Sequence, residues 1–90
     1  MLRLACIPAF NEEKPITDVI KKSLNFVDKV VVCDDGSSDL TSERAKNAGA
    51  VVITHDRNLG KGAAMKSLFE YAKDVDADII ITIDGDGQFI

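Results

Sequence analysis

Two runs of a single β-branched residue stand out in this chain: Val30, Val31 and Val32, then Ile79, Ile80 and Ile81. Both are apolar, and both are too short for a buried helix. A strand with one wet face alternates apolar and polar side chains. A strand without alternation needs cover on both faces, as in a parallel sheet sandwiched between helices. The spacing predicts strands over residues 2–7, 29–34, 50–55 and 78–83, with Pro8 closing the first.

The segments between these strands carry the helical period. Ile16, Val19, Ile20, Leu24 and Val27 share one helix face, and Pro15 suits the first turn. Asp39 is placed to cap a helix over residues 40–48, which Gly49 ends. Met65, Leu68, Phe69 and Ala72 form an apolar stripe after Gly60, Lys61 and Gly62. Strand and helix therefore alternate as β-α-β-α-β-α-β. That order predicts an α/β fold, a Rossmann-like three-layer α/β/α sandwich with a mainly parallel sheet and right-handed crossovers.

Ninety residues fill one domain, 1–90, and bury enough surface for a core without disulfides. Cys6 and Cys33 each fall inside an apolar run with no C-x-x-C spacing, so they read as buried thiols and point to a reducing, cytoplasmic setting. The net charge of −4 offers no basic field for nucleic acid. The apolar run before Pro8 is too short for a secretory signal, and no stretch reaches membrane-span length.

Parallel strands end along one edge, and ligands bind outside it. Each expected strand is followed by a polar segment: residues 8–13, 34–39, 56–62 and 84–88. In the last, Asp84 and Asp86 stand one residue apart, a spacing from which two carboxylates can share Mg²⁺ or Mn²⁺. Gln88 adds an oxygen, and Gly85 and Gly87 allow a tight turn. A solvated acidic turn is the plainer alternative. An EF-hand is excluded by Phe89 at the glycine position of that loop. Of Asp34 and Asp35, one is expected to grip ribose or base, while Asp39 serves the next helix. Lys61, in a glycine-flanked helix start, suits an anion, although neither a Walker loop nor a full dinucleotide fingerprint is present. Arg57 is read equally as an ion-pair partner or a ligand contact. His55 is read as a partly buried structural residue, and Phe10 either stacks on a base or packs at the strand edge.

Together these segments resemble the family-2 glycosyltransferases of nucleotide-diphospho-sugar transferase fold. Residues 7–13 are similar to their P-x-[YF]-N-E opening, and residues 32–41 to their D-D-x-S-x-D-x-T segment. Residues 57–64 resemble R-N-x-G-K-G-x-A, and residues 83–89 the D-x-D-x-Q variant. The subgroup most resembled is the polyprenyl-phosphate sugar synthases, dolichol-phosphate mannose synthase among them.

The resemblance implies single addition of a sugar from a nucleoside-diphosphate sugar, with inversion, to an acceptor such as a polyprenyl phosphate. It implies that Pro8, Phe10 and Glu12 line the base and ribose pocket and that Asp35 and Asp34 contact base or ribose. It further places Lys61 near the nucleotide, Asp84 at ribose or metal, and Asp86 and Gln88 on Mg²⁺ or Mn²⁺. In that family a later segment supplies the acceptor site and the general base. The chain is accordingly expected to be a nucleotide-sugar-binding N-terminal part, with its catalytic residues unassigned. It is expected to bind nucleotide without turnover, to form a homodimer through its last strand, and to belong to a full-length protein at a membrane surface. The other readings of the site are a sugar-nucleotidyltransferase, which lacks its glycine- and arginine-rich first loop here, and a non-catalytic nucleotide-binding module.

Overall fold

The computed structural model describes residues 1–87. The elements run β1 (Arg3–Ala9), α1 (Ile16–Ser23), β2 (Lys29–Asp34), α2 (Thr41–Asn47), β3 (Val51–Thr54), α3 (Lys61–Asp74) and β4 (Ile79–Thr82). All strand pairings are parallel, in the order β3-β2-β1-β4.

The uninterrupted apolar runs resolve into two cores. Ala5, Ile7 and Ala9 of β1, with Val30 and Val32 of β2, face α1 and α2 through Ile16, Val19, Ile20 and Ala45. The alternate residues Leu4, Cys6, Val31 and Cys33 face α3 through Ala64, Leu68 and Ala72. This is the expected three-layer sandwich, and β1 and β2 are its central strands. Leu4, Ile7, Ile16, Ile20 and Leu68 are fully buried, and each such side chain contributes about 1.5–3 kcal/mol through removal from water. The two cysteines are buried and unbridged. Burial pushes the Cys6 thiol up to about 11.

Four local expectations are corrected. The first strand does not stop before Pro8, which pairs in register with Cys33. Ala9 turns its carbonyl to β2, accepting from the Asp35 N–H, whereas Cys6 turns its own to the β4 side, accepting from Ile83. Pro8 lies in phase with Cys6, so its missing N–H faces β4 beyond Thr82, where that register has ended. A second correction concerns the second helix, which starts at Thr41. Its N-cap, Leu40, makes no side-chain cap bond, and Asp39 instead accepts from the Thr41 N–H at 3.0 Å. Phe69, the third case, is 47% exposed. It sits one residue round from Leu68, off the face that Ala64, Leu68 and Ala72 bury. Finally, β4 is not covered on both faces: as the edge strand beside β1, it leaves Ile79 and Ile80 42% and 43% exposed.

Candidate functional site

The chain moves outward from β1 to β2 to β3, then crosses back to place β4 on the other side of β1. Such a reversal opens a crevice at the strand ends, where flanking loops diverge. A cavity of about 200 Å³ lies there, with every strand-end loop in its wall. Pro8, Ala9 and Phe10 come from the end of β1, and Asp35 from the end of β2. Asn58, Gly60 and Lys61 come from the β3–α3 connection, Ala64 from the first turns of α3, and Asp84 from beyond β4.

The loops after β1 and β2 are stitched together by their own polar groups. Asn11, in the left-handed region at φ +53°, donates its N–H to Ser37 Oγ at 2.8 Å and accepts from the Ser38 N–H at 2.9 Å. Glu12 donates its N–H to Thr41 Oγ1, and Glu13 donates its own to Asp39. Burial opposes the charge of Asp39, yet bonds from the Thr41 hydroxyl and N–H and the Glu13 N–H outweigh it and hold its carboxyl below the usual range. Asp39 thus ties the start of α2 to the first loop.

Asp34 and Asp35 part company. Asp34 accepts from the Ser37 N–H at 3.0 Å and from the Ser42 hydroxyl, on the α2 side of the sheet and outside the cavity wall. Asp35 turns the other way. Its Oδ1 accepts from the Leu59 N–H at 2.9 Å and lies 2.8 Å from His55 Nδ1, while its Oδ2 accepts from the Gly60 N–H at 2.9 Å. The residue is only 4% exposed. That burial works against ionisation, but the bonds from His55, Leu59 and Gly60 outweigh it, so the carboxyl is held below its ordinary value. A buried charge satisfied in this way fixes the loop that presents Lys61. Gly60, at φ +100°, makes the turn into α3.

Lys61 Nζ meets Asp84 Oδ1 at 2.9 Å across the cavity. The pair is partly exposed, with side-chain exposures of 56% and 27%, so it adds little to stability and exchanges readily for another partner. Gly85 lies against the first loop: a Cβ there would stand 3.0 Å from Glu12 Cγ and 3.2 Å from the Pro8 carbonyl oxygen. The Gly87 N–H closes the turn onto the Asp84 carbonyl at 2.8 Å. Burial first, then the charges of Asp86, Asp39 and Asp84, push the Glu12 carboxyl above its ordinary value.

Asp84 lies in the cavity wall, whereas Asp86 lines a neighbouring cavity beside α1 with Asp18 and Lys22; each offers hard oxygen donors, the chemistry that Mg²⁺ and Mn²⁺ prefer. Among the described residues no three acidic, histidine or cysteine side chains are grouped to hold a metal alone. Gln88, the other expected ligand, lies outside the described residues.

Sequence reasoning missed Asn58 and Ala64 as cavity-lining residues, and it did not find the bonds that surround His55. Asn58 and Ala64 both fall on fixed positions of the R-N-x-G-K-G-x-A stretch over residues 57–64, and that match was their signal. Arg57 is exposed and lies over the end of β3, outside the cavity wall. Phe10 is in the wall and 45% exposed.

The chain is 35% identical over 100 residues to the UDP-N-acetylglucosamine–dolichyl-phosphate N-acetylglucosaminyltransferase of Methanococcus voltae, covering 91% of this chain and 40% of that protein. Its fold matches glucosyl-3-phosphoglycerate synthase from Mycobacterium tuberculosis, solved with Mn²⁺, UDP-glucose and phosphoglyceric acid. The TM-score is 0.74 at 33% identity, over 93% of this chain and 33% of that one. It also matches mannosyl-3-phosphoglycerate synthase from Rubrobacter xylanophilus, with a TM-score of 0.81 at 25% identity over 96% of this chain and 31% of that one. The chain therefore spans between about a third and two fifths of the length of these relatives. The family model described as glycosyl transferase family 2 matches residues 4–90, and with the four strand-end loops in the arrangement just described, the chain belongs to that family.

Proposed function

We propose that residues 1–90 form the donor-nucleotide side of a glycosyltransferase that uses a nucleoside-diphosphate sugar together with Mg²⁺ or Mn²⁺. The observation that carries this reading is the meeting of all four strand-end loops at one cavity, with Lys61 and Asp84 paired across it. Pro8 and Phe10 offer an apolar wall for base and ribose, with Glu12 beside them. Among the described residues Asp35 Oδ2 accepts one bond, and a carboxylate oxygen has capacity for another. That lone pair suits an N–H of uracil or guanine or a ribose hydroxyl. Asp34 braces the turn behind it. A divalent cation, when bound by Asp84 and Asp86 with Gln88, offsets the charge that develops on a departing diphosphate. Lys61 then exchanges Asp84 for the diphosphate oxygens, and the N-terminal N–H groups of α3 face the same charge.

The acceptor is proposed to be a polyprenyl phosphate. The Methanococcus relative supports this, because its name gives dolichyl phosphate as the acceptor. Such a substrate would bring the whole protein to the cytoplasmic surface of a membrane. Among the described residues no helix is long and apolar enough to cross one.

By themselves these ninety residues are proposed to bind nucleotide without transferring sugar. They are also proposed to pair as a homodimer. Among the described residues β4 is an outer strand of the sheet, and the exposed Ile79 and Ile80 favour a second copy there. Sedimentation at micromolar concentration is expected to show the dimer, and a clean monomer would remove this part of the reading.

The base pocket is tested by titration with UDP and GDP in the absence of metal. Asp35→Ala is expected to weaken binding by about 1.5–3 kcal/mol, the worth of a hydrogen bond to a charged group. Affinity within twofold of wild type for both nucleotides would assign Asp35 to the loop alone.

A further inference from the structure

His55 is the only histidine, and its ring is bonded at both nitrogens. Nδ1 lies 2.8 Å from Asp35 Oδ1, and Nε2 lies 2.9 Å from Ser67 Oγ on α3. Cys33 Sγ approaches Nε2 at 3.6 Å. The imidazole is 12% exposed, and the Asp35 side chain 6%.

The partners fix the proton. Asp35 is ionised and only accepts, so Nδ1 must carry hydrogen. The Ser67 hydroxyl, which can donate or accept, completes the bond at Nε2. Burial first, then the charges of Asp35 and Asp34, push the Cys33 thiol up to about 11, so a neutral thiol rather than a thiolate packs against the ring at Nε2. The ring is thereby held in a single orientation by three elements, through β2, α3 and the end of β3.

An aspartate–histidine–serine line also occurs in nucleophilic catalysis, but this one is not built for it. Ser67 is in the wall of neither the strand-end cavity nor the cavity over the end of β3. Its backbone N–H, inside helix α3, is consumed by the helix and offers no oxyanion site. What the line does reach is the nucleotide loop. Asp35 receives His55 and the Leu59 N–H on one oxygen and the Gly60 N–H on the other. The orientation of its carboxylate plane therefore decides both where Lys61 starts its helix and where the remaining lone pair of Oδ2 points.

We infer that His55 and Ser67 are positioning residues for nucleotide recognition, with Ser67 orienting His55, and His55 orienting Asp35 and the Leu59–Gly60 turn toward the bound nucleoside diphosphate. The inference rests on the reading of the cavity as the donor-nucleotide site. It adds to that site a residue pair that touches no ligand.

The test titrates UDP and GDP into wild type, His55→Ala, His55→Asn and Ser67→Ala, each with and without Asp35→Ala. The amide hydrogen exchange of Leu59 and Gly60 is measured in parallel. An asparagine amide can place an N–H near the position of Nδ1, so it restores the bond to Asp35 while losing the arm to Ser67. His55→Ala is expected to weaken binding about tenfold, His55→Asn to stay within about threefold of wild type, and Ser67→Ala to weaken it about threefold. All of these losses should vanish in the Asp35→Ala background, because the pair acts only through that carboxylate. Exchange at Leu59 and Gly60 should quicken in His55→Ala and recover in His55→Asn.

Binding within twofold of wild type in His55→Ala would overturn the inference, as would a loss that persists undiminished beside Asp35→Ala. Should His55→Ala fail to fold, Ser67→Ala decides the matter by the same comparison. Should wild type bind neither nucleotide, the donor-site reading falls. The exchange of Leu59 and Gly60 still decides whether His55 positions that turn, and unchanged exchange would overturn it.

Discussion

Gly36→Ala is expected to cost the fold about 3 kcal/mol or more, from the combined penalties of a left-handed backbone and of overpacking. Gly36 has φ +76°, a region that a side chain disfavours, and a Cβ there would stand 2.3 Å from the Arg57 carbonyl carbon and 2.5 Å from the Asn58 nitrogen. The obstacle is backbone, so no rotamer change relieves it. The clash also lies where the loop after β2 meets the loop after β3, two of the four that line the cavity. Gly62→Ala is the control: it lies in α3, and a Cβ there meets nothing within 4 Å. It should be neutral or stabilising by up to about 1 kcal/mol. Urea denaturation measures both. For a domain of this size each kcal/mol shifts the melting temperature by roughly 4–8 °C, so Gly36→Ala should melt well below wild type. A loss under about 1 kcal/mol would mean that the two loops are free to separate.

The order of strands and helices and the layered class were legible because β2 lies between two neighbours and two helix layers, the environment that an uninterrupted valine run describes. The isoleucine run of β4 has the same chemistry but sits at an edge, and composition alone does not distinguish a covered strand from an edge strand. Pro8 was misplaced for a related reason. Whether proline ends a strand depends on which neighbour its missing N–H would have met, and that is set by the strand order.

The four loops were visible as polar segments after strands, and the crevice followed from the parallel sheet. The separation of Asp34 from Asp35 was left open by the sequence. Adjacent residues on extended backbone face opposite ways, and only the packing of α2 and α3 on opposite faces shows that Asp34 meets Ser42 while Asp35 meets His55. Ser67 gave no signal at all: it is an ordinary helix serine until α3 docks beside β2 and brings it to the ring.

The second large effect concerns Asp84 and Asp86. Asp84 and Asp86 lie beside Glu12, whose carboxyl already feels their charge. A diphosphate brought to the cavity without a cation meets the charge of Asp84 in its wall, with Lys61 as its attractor there. Asp84 also holds Lys61 at 2.9 Å, so a cation held by Asp84 would both cancel charge and free the ammonium for the ligand. Metal should therefore raise nucleotide affinity strongly, and loss of Asp86 should remove most of that gain without disturbing the base pocket around Asp35. The most direct measurement is calorimetric titration of UDP and GDP into wild type and Asp86→Ala, each with and without Mn²⁺. The account predicts binding by wild type that tightens at least tenfold with Mn²⁺, a difference of about 1.4 kcal/mol, and little or no tightening in Asp86→Ala. Equal affinities in the two proteins with Mn²⁺ present, or no nucleotide binding by wild type under any of these conditions, would contradict it.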